Sequence, residues 1–594
     1  MEQFNLTSEQ KSKQVKYNSF MAIKYKNKVR NGELQIQRSQ KLTSLEFLSE
    51  FQIHRLELNE CRNIIPILTS STIKELIIRD SDLQNVDGFQ LENLEILVVA
   101  GNTELKNCSF ERFKQLKQLN ISCTNRTDIS NLKLPQLRIL NLSYNYIRLT
   151  HTLQYLANLE DLDFSYNIGV DIKPLQYLKQ LRILNLSECN LETIKILELP
   201  PNLVELYVCG NANIDLSPIQ YLVNLKQMNI SYTNINNINI LQPLINLEEL
   251  YIYGNHIADL IDLQYFANLT KLNLSETKVQ NIKILLLLEH LKELDLSGNP
   301  DIDFQPIQKM IQLQKLQLQR NKLKNISLLS GLINLEHLSL SFNDNLDISP
   351  IQYLVNLTNL DIAFCNISDT SSLRTLVNLE VLDISSNKIN DIHHLQNLVK
   401  LTALEICDNN VQNISILKQF KCLKKLRLYG NKGVDITPLQ YLTQLNELSL
   451  NQCDLHEISV LRPLVNLEYL NISYNSIYYF YPIRDLDANI NVSSNLIVES
   501  SDYFTFFDTK DKPKLREKRP NKQQILLGGK MKAVDSSLQL IRDILTTRQN
   551  NLSKKQILVE TVDSCQQQQQ EIIISLTNKI AQLFSQLDGQ EVYQ

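Results

Sequence analysis

Seven aspartates recur at an unbroken spacing of 44 residues, and such a register could build a row of cation sites. The seven are Asp171, Asp215, Asp259, Asp303, Asp347, Asp391 and Asp435. Pro often follows three residues later, as in Asp215-Leu216-Ser217-Pro218, which is typical of the start of a short helical turn. Equivalent repeats would lie about 10 Å apart along a stack, too far for neighbouring carboxylates to share one Ca²⁺. The register therefore predicts helix capping and no metal site.

The other reactive side chains form no catalytic pattern. The ten cysteines and eight histidines are dispersed along the chain, and the sequence contains no C-x-x-C pair and no G-x-S-x-G motif. Four cysteines, Cys61, Cys189, Cys365 and Cys453, occupy one repeated position, which indicates reduced thiols and not disulfide partners. We therefore expect neither enzymatic activity nor a cofactor.

These residues belong to a repeat of 22 residues that reads L-x-x-L-x-L-x-x-N, as in Leu137-Leu140-Leu142-Asn145. The alternation of Leu140 and Leu142 predicts a short strand, and the apolar spacing of three that follows predicts a 3₁₀ or helical turn. We call the last position the ladder residue. In an unbroken run it is occupied by Asn145, Asn167, Cys189, Asn211, Thr233, Asn255, Thr277, Asn299, Asn321, Asn343, Cys365, Asn387, Asn409, Asn431, Cys453 and Asn475.

Further ladder positions precede and follow this run, at Ser39, Cys61, Ser81, Asn102, Thr124 and Asn495. A buried Asn amide both donates and accepts hydrogen bonds, so stacked ladder residues can satisfy the backbone where the chain leaves each strand. Replacing Asn299 or Asn343 by Leu is expected to cost roughly 1–3 kcal/mol.

The unit resembles the 22-residue subclass of leucine-rich repeats, which is found in a regulatory subunit of type 1 protein phosphatase and in several bacterial surface proteins. The resemblance covers about four fifths of the chain. It implies an α/β solenoid, a curved arc of about 22 coils with a parallel sheet on the concave face and short 3₁₀ or helical turns on the convex face. It also implies a protein-binding scaffold, with a phosphatase catalytic subunit among the candidate partners.

The chain divides into five predicted regions. Residues 1–32 form a helical cap, residues 33–509 the solenoid with its C-terminal cap, and residues 510–532 a basic linker. Residues 533–588 carry a heptad pattern in which twelve of sixteen core positions are apolar, and residues 589–594 are a disordered end. A coiled-coil homodimer, two helices folded back on each other and one helix docked on the solenoid all fit the heptad pattern. The apolar residues expected to cover the first coil are Val15, Phe20, Ile23 and Val29.

Outward-facing strand residues are predicted to bind a partner. The side chains four and two positions before the ladder residue face the concave side, where Ser alternates with acids and aromatic residues. Strand surfaces also tolerate Tyr without any function, but local clustering near Tyr207–Tyr253 and Phe342–Phe364 favours binding. The candidate protein-binding residues are Tyr144, Asp163, Tyr166, Tyr207, Tyr232, Tyr251, Tyr253, Asp295, Phe342, Asp361, Phe364, Asp383 and Tyr429.

The formal net charge of −4 is unevenly distributed: residues 31–509 carry −14, whereas 11–30 and 510–532 carry +7 each. An acidic surface disfavours nucleic acid and favours a basic surface on a protein partner. No apolar run is long enough to insert into a membrane, and the polar start of the chain predicts a cytoplasmic protein, with the nucleus as the alternative because of the basic run 514–522.

Together these features predict a non-catalytic scaffold or adaptor that binds proteins through the arc. The alternative is a cytoskeletal or organelle-structural protein that is anchored through its coiled coil.

Overall fold

The computed structural model describes residues 17–495, except for 19, 23, 27, 40–41, 63, 106–107, 195–199, 201 and 487. The predicted linker, coiled coil and disordered end lie outside the described residues. So does the part of the predicted C-terminal cap that follows residue 495.

Each repeat contributes one short strand to a parallel sheet of 22 strands, so the predicted solenoid of about 22 coils is confirmed. Consecutive strands are neighbours and pair in register at a spacing of one repeat, as in Leu338 with Leu360 and Leu360 with Leu382. The strands are Glu33–Gln37, Arg55–Asn59, Glu75–Arg79, Ile96–Val98, Gln118–Asn120, Ile139–Asn141, Asp161–Asp163, Ile183–Asn185, Glu205–Tyr207, Gln227–Asn229, Glu249–Tyr251, Lys271–Asn273, Glu293–Asp295, Lys315–Gln317, His337–Ser339, Asn359–Asp361, Val381–Asp383, Ala403–Glu405, Lys425–Arg427, Glu447–Ser449, Tyr469–Asn471 and Asn489–Asn491.

A short 3₁₀ helix follows most strands on the far side of the coil. The side chains of a 3₁₀ helix repeat every three residues, which matches the apolar spacing after the ladder residue. These helices are Glu46–Glu50, His151–Tyr155, Lys173–Tyr177, Ser217–Tyr221, Asn239–Leu241, Ile261–Tyr265, Lys283–Leu287, Gln305–Lys309, Ser327–Leu329, Ser349–Tyr353, Ser371–Thr375, His393–Asn397, Ser415–Gln419, Thr437–Tyr441, Ser459–Leu461 and Tyr481–Ile483. In the first repeats, Leu68–Thr69 and Phe89–Gln90 instead pair as a separate two-stranded parallel sheet.

The core is a stack of aliphatic layers between the sheet and the turns. The middle residue of nearly every strand, such as Leu338, Leu360 or Leu382, is buried, and so are the leucines on both sides of each turn. A single coil leaves its apolar side chains uncovered where they face the next coil, so stability comes from contact between neighbouring coils.

Ladder asparagines join neighbouring coils where the chain turns off the strand. Asn145 donates through Nδ2 to the carbonyls of Ile121 and Leu142, both at 2.9 Å. Its Oδ1 accepts the backbone N–H groups of Thr124 at 3.1 Å and Arg126 at 2.9 Å. The amide therefore satisfies backbone groups of its own coil and of the preceding one, as its chemistry predicted.

Where Cys or Thr occupies the ladder position, backbone carbonyls make some of the hydrogen bonds to the preceding coil that an Asn side chain makes elsewhere. The Sγ of Cys189 donates to the carbonyl of Phe164 at 3.3 Å, and burial raises the pKa of this thiol to about 11, which keeps it protonated at neutral pH. The carbonyl of Cys189 accepts the N–H of Gly169 in the preceding coil at 3.0 Å, a bond that an Asn side chain makes elsewhere. The residues of this kind in the unbroken run are separated by multiples of 44: Cys189, Thr233, Thr277, Cys365 and Cys453.

The aspartate register caps the 3₁₀ helices, as predicted. Each of the seven carboxylates accepts the backbone N–H of the residue two positions later, with Oδ1···N distances of 2.9–3.2 Å, and that residue begins the helix. Asn281, Asn325 and Asn413 make the same bond in alternate repeats, so an acceptor is required there and a charge is not. In the described part of the chain, no three His, Cys, Asp or Glu side chains are arranged to hold a metal ion.

In the N-terminal cap, one of the residues predicted to cover the first coil does not do so, and two others, Val15 and Ile23, lie outside the described residues. The described residues from 17 to 26 are helical, but Phe20 is 66% exposed, and Met21 and Tyr25 cover the first coil instead. The Tyr25 ring stacks on Phe47 with a centroid distance of 5.9 Å. A helix of this length carries few apolar residues, so its sequence defines the buried face only weakly.

Candidate protein-binding surface

The outward side chains of the sheet form two parallel rows. We call the residues six positions before each ladder residue the strand-start row and those four positions before it the strand-end row; together they are the outer face. Both rows are mostly half-buried, because the strands place these side chains side by side about 4.8 Å apart. Asp163, Tyr207, Tyr251, Asp295, Asp361 and Asp383 all lie in the strand-end row, on the predicted side of the sheet.

The serines two positions before the ladder residue support this face from below. They were predicted to face the concave side; Ser143, Ser165 and Ser341 are buried, whereas Ser187, Ser275 and Ser297 are half-buried. The Ser165 hydroxyl donates to Asp163 Oδ1 at 2.7 Å, and its backbone N–H donates to the same oxygen at 3.0 Å. These bonds fix the direction of the carboxylate, so the serine acts by orienting its neighbour.

Aromatic residues on neighbouring coils form three pairs beside the outer face. Tyr144 stacks on Tyr166 at a centroid distance of 4.0 Å, and Phe342 stacks on Phe364 at 4.4 Å. Tyr232 meets Tyr253 edge to face at 5.0 Å. The pair members other than Tyr253 directly precede the ladder position and have positive φ of 53–59°, a conformation that turns the ring outward. These five rings are 37–53% exposed, which leaves apolar surface available at a low entropy cost.

The geometry of the Tyr232–Tyr253 pair depends on Gly254. This glycine has a φ of +69°, and a Cβ at its position would overlap the Tyr232 ring. Glutamate or aspartate side chains lie over glycines in the same way at Gly210 and Gly430, so the small residue makes room for a long one on the preceding coil.

Tyr207 and Tyr251 are oriented by acids of the strand-start row. Each hydroxyl donates to the carboxylate two residues earlier, Glu205 or Glu249, at 2.8 Å. Burial and this hydrogen bond raise the pKa of both phenols far above the usual value. Tyr253 lies two positions nearer the ladder residue, and burial beside Cys209 raises its pKa to about 12.

Basic residues neutralise two sections of the acidic face. Lys271 Nζ lies 3.0 Å from Glu249 and 3.6 Å from Glu293 on the two flanking strands. Farther along, Arg427 bridges Glu405 at 3.4 Å and Glu447 at 2.6 Å. The net charge of the repeat region therefore overstates the acidity of these sections.

Carboxylates without a cationic partner remain at Asp361 and Asp383, within the described residues. Asp361 and Asp383 are in register on neighbouring strands, and we call them the acidic cluster. Glu405, in register on the next strand, is paired with Lys425 and Arg427. Burial raises the pKa of Asp383, and the nearby charges of Asp361 and Glu405 raise it further. Burial and the nearby charges of Asp163 and Glu205 likewise raise the pKa of Asp161. The face thus holds carboxylates at an electrostatic cost to the fold.

Tyr429 lies apart from the three pairs. It lines a shallow hollow of about 460 Å³ on the outer face with Arg427, Glu447 and Tyr469. Burial raises the pKa of Tyr429 to about 12, assisted by the nearby Cys407 and Asp408.

Two features of this surface were missed in the sequence. The strand-start row was not recognised, although its residues directly precede the buried Leu at the middle of each strand, as Glu249 precedes Leu250. Arg320 was also missed; its guanidinium carbon lies 4.5 Å from the centroid of the Phe342 ring and extends that pair with a cation. No local pattern marks Arg320, because its contact joins two different coils.

Comparison with known proteins identifies the repeat. Residues 355–397 match the family model described as leucine-rich repeats in two copies. No curated protein sequence matches the chain significantly. In the described part of the chain, none of the helices has the length and hydropathy needed to cross a bilayer.

Three solved structures illustrate the similarity. An internalin of Listeria monocytogenes is 26% identical over 53% of this chain and 88% of its own, with a TM-score of 0.41. A leucine-rich-repeat protein of Leptospira interrogans is 22% identical over 63% of this chain and 96% of its own, with a TM-score of 0.43. Internalin C2 of Listeria monocytogenes is 28% identical over 39% of this chain and 84% of its own, with a TM-score of 0.25. With its parallel sheet, ladder residues and short turns, and with residues 355–397 matched by the family model, the chain carries leucine-rich repeats.

Proposed function

We propose that this chain is a non-catalytic scaffold that binds a protein partner through the outer face of its sheet. Leucine-rich repeats commonly serve as extended binding surfaces. The observation that carries the proposal is the combination of exposed, stacked aromatic pairs with carboxylates that have no cationic partner in the described residues.

The aromatic pairs supply contact area that is already ordered. Stacking of Phe342 on Phe364 and the contact with Arg320 hold both rings in place before a partner arrives. Rigid aromatic groups lose little conformational entropy on binding and are frequent energetic centres of interfaces.

The acidic cluster supplies a charge preference. Asp361 and Asp383 are half-buried, so their mutual repulsion is poorly screened and a cation from a partner would relieve it. A partner with Lys or Arg groups beside an apolar patch fits this arrangement. A phosphatase catalytic subunit is the specific candidate suggested by the resemblance of the repeat, and no contact residue is assigned to it.

The free cysteines support a reducing compartment. All nine cysteines in the described residues are free thiols, and burial raises the pKa of Cys365 to about 11 and those of Cys407 and Cys453 to about 12. These thiols support our proposal of a cytoplasmic protein, with the nucleus as the alternative.

The test compares two sets of tyrosines on the same chain. The binding variant replaces Tyr207, Tyr251 and Tyr253 by Ala; the matched control replaces Tyr155, Tyr177 and Tyr221, which end 3₁₀ helices and are exposed off the outer face. Proteins cross-linked to the full chain in cells are identified by mass spectrometry, and their binding to both variants is then measured with purified components. Loss only in the binding variant is the expected result. Equal loss in both variants, or loss only in the control, contradicts the proposal.

A parallel measurement tests the specific partner. Purified type 1 phosphatase catalytic subunit is titrated against the full chain and against the variant with Asp361→Asn and Asp383→Asn. Binding that weakens in the variant supports a phosphatase partner. No binding to the full chain eliminates that partner and leaves the scaffold proposal to the cross-linking result.

A further inference from the structure

A ridge of exposed aliphatic side chains runs along the edge of the solenoid, away from the outer face. It consists of Ile311, Ile333, Val355, Val377 and Val399, one from each of five consecutive coils, and we call it the edge ridge. Each residue lies in the turn after a 3₁₀ helix and is 43–57% exposed, although buried leucines or Met310 lie on both sides of it in the sequence. Isolated exposed apolar residues are common, whereas a continuous row of five is a feature of interaction sites.

The repeat itself does not require an apolar residue at this position. Ala267, Glu289, Lys421 and Thr443 occupy it in other coils of the same chain, although Val223, Ile245 and Val465 are exposed aliphatic residues at the same position outside the ridge. β-Branched aliphatic residues also have no intrinsic preference for turns. An aliphatic residue at this position is therefore common but not obligatory, and the ridge is distinguished by five such residues on consecutive coils.

A second asparagine ladder makes the ridge rigid. The Nδ2 groups of Asn334, Asn356 and Asn378 donate to the carbonyls of Ile311, Ile333 and Val355 in the preceding coils, at 2.9, 2.9 and 3.0 Å. These bonds fix the backbone of Ile311, Ile333 and Val355, three of the five ridge residues. A surface that is already ordered loses less entropy when it is covered.

The two ends of the ridge carry opposite charges. Glu289 occupies the same position one coil before Ile311, and Lys421 occupies it one coil after Val399. Both are exposed, and neither forms an ion pair with any described residue; the Lys421 ammonium lies 5.9 Å from the Tyr441 ring centroid.

We propose that the edge ridge is a dimer interface on which a second copy of this chain docks antiparallel. A two-fold axis through Val355 places Ile311 against Val399, Ile333 against Val377, and Val355 against its own copy. Glu289 of each copy then faces Lys421 of the other, at both ends. The parallel arrangement would instead place Glu289 against Glu289 and Lys421 against Lys421, so the charges select the antiparallel one.

The size of the ridge predicts a weak dimer. Five coils span about 24 Å, and with a width near 12 Å the ridge covers roughly 300 Å² on each copy. Stable interfaces bury about 800 Å² per partner, so the dimer is expected to be weak and to form only at high protein concentration. Tyr353, also exposed, widens the ridge at its centre. Glu336 and Glu380 lie three residues beyond ridge residues, directly before strands of the sheet.

The experiment is sedimentation velocity of the full chain over a range of micromolar concentrations. The chain is expected to form a concentration-dependent dimer. Val355→Asp is expected to weaken it by more than about tenfold, because the change occurs twice at the centre of a two-fold contact. Glu289→Lys and Lys421→Glu are each expected to weaken it by about tenfold through like charges at both ends.

Two combinations serve as folding controls. The double variant Glu289→Lys with Lys421→Glu is expected to restore the dimer, and an equimolar mixture of the two single variants is expected to form a heterodimer. A wild-type chain that stays monomeric overturns the proposal. So does a dimer that is indifferent to these substitutions, which is the behaviour expected of association through residues 533–588.

Discussion

Replacing Asn343 by Leu removes one rung of the ladder and tests the account of the fold most directly. Its Oδ1 accepts the backbone N–H groups of Asn321 at 3.1 Å and Leu323 at 2.9 Å. Its Nδ2 donates to the carbonyls of Leu318 and Leu340 at 2.9 and 2.7 Å. Leu is similar in size and can make none of these bonds.

The magnitude follows from the two stranded N–H groups. A buried donor without an acceptor costs about 1–3 kcal/mol, so the free energy of unfolding should fall by about 2–6 kcal/mol. This exceeds the estimate from sequence, since one Asn side chain proves to serve two donors of the preceding coil. The carbonyls add less, because a carbonyl that keeps one hydrogen bond tolerates the loss of a second.

The assay combines denaturant unfolding with hydrogen exchange of individual amides. Stability in a repeat protein is local, so exchange should accelerate most at Asn321 and Leu323 and much less several coils away. Asn343→Cys is the matched control, because Cys365 and Cys453 occupy equivalent positions in the native chain, and it should lose less stability than Asn343→Leu. Unchanged exchange at Leu323 together with an unchanged unfolding midpoint would refute the reasoning.

Three other substitutions test particular side chains. Asp383→Asn keeps the oxygen that accepts the Ser385 N–H and should stabilise the chain at pH 7. Because the pKa of Asp383 is raised in the folded state, its negative charge destabilises the fold above that pKa, and the stability gained by the substitution should shrink toward pH 4. Denaturant unfolding at several pH values measures this gain, and a gain independent of pH contradicts the explanation. Arg126→Met should raise the free energy of unfolding by about 1–4 kcal/mol, because the buried guanidinium has only the Cys108 thiol near Nη1 and Nη2 among the described residues and burial lowers its pKa. A lower unfolding midpoint would exclude this explanation. Gly254→Ala should destabilise the chain more than Gly169→Ala. Both glycines have positive φ, so each substitution costs about 1 kcal/mol for the backbone, but only at Gly254 does the new Cβ overlap a ring, that of Tyr232. Equal losses of stability in denaturant titrations would show that the ring moves freely.

Much of the fold could be predicted because a repeat shows the same local pattern many times. Leu140 and Leu142 predicted a strand, and the aspartates such as Asp215 predicted the start of each 3₁₀ helix. In the helical cap, Phe20 was predicted to cover the first coil, but it is exposed, and Met21 and Tyr25 are buried. The cap helix occurs only once in the chain, and its few apolar residues are not enough to define which face is buried.

The candidate surface could be predicted only in part. The strand-end row, including Asp361 and Asp383, follows from alternation along a strand. The stacking of Phe342 on Phe364 and the ion pairs of Lys271 join residues of neighbouring coils. Side-chain torsions determine which neighbouring residue each group contacts, and the spacing of the repeat does not predict these torsions.

The sequence by itself determined the number of coils, the register of the sheet and the alternation of two repeat types. It could do so because backbone hydrogen bonding and burial impose the same demand on every coil. Only the tertiary structure decided which carboxylates are neutralised, which aromatic rings pair, and that Ile311, Ile333, Val355, Val377 and Val399 form one exposed row between opposite charges. These properties depend on contacts between coils, where identical backbones carry different side chains and electrostatic and packing energies depend on the distance between them.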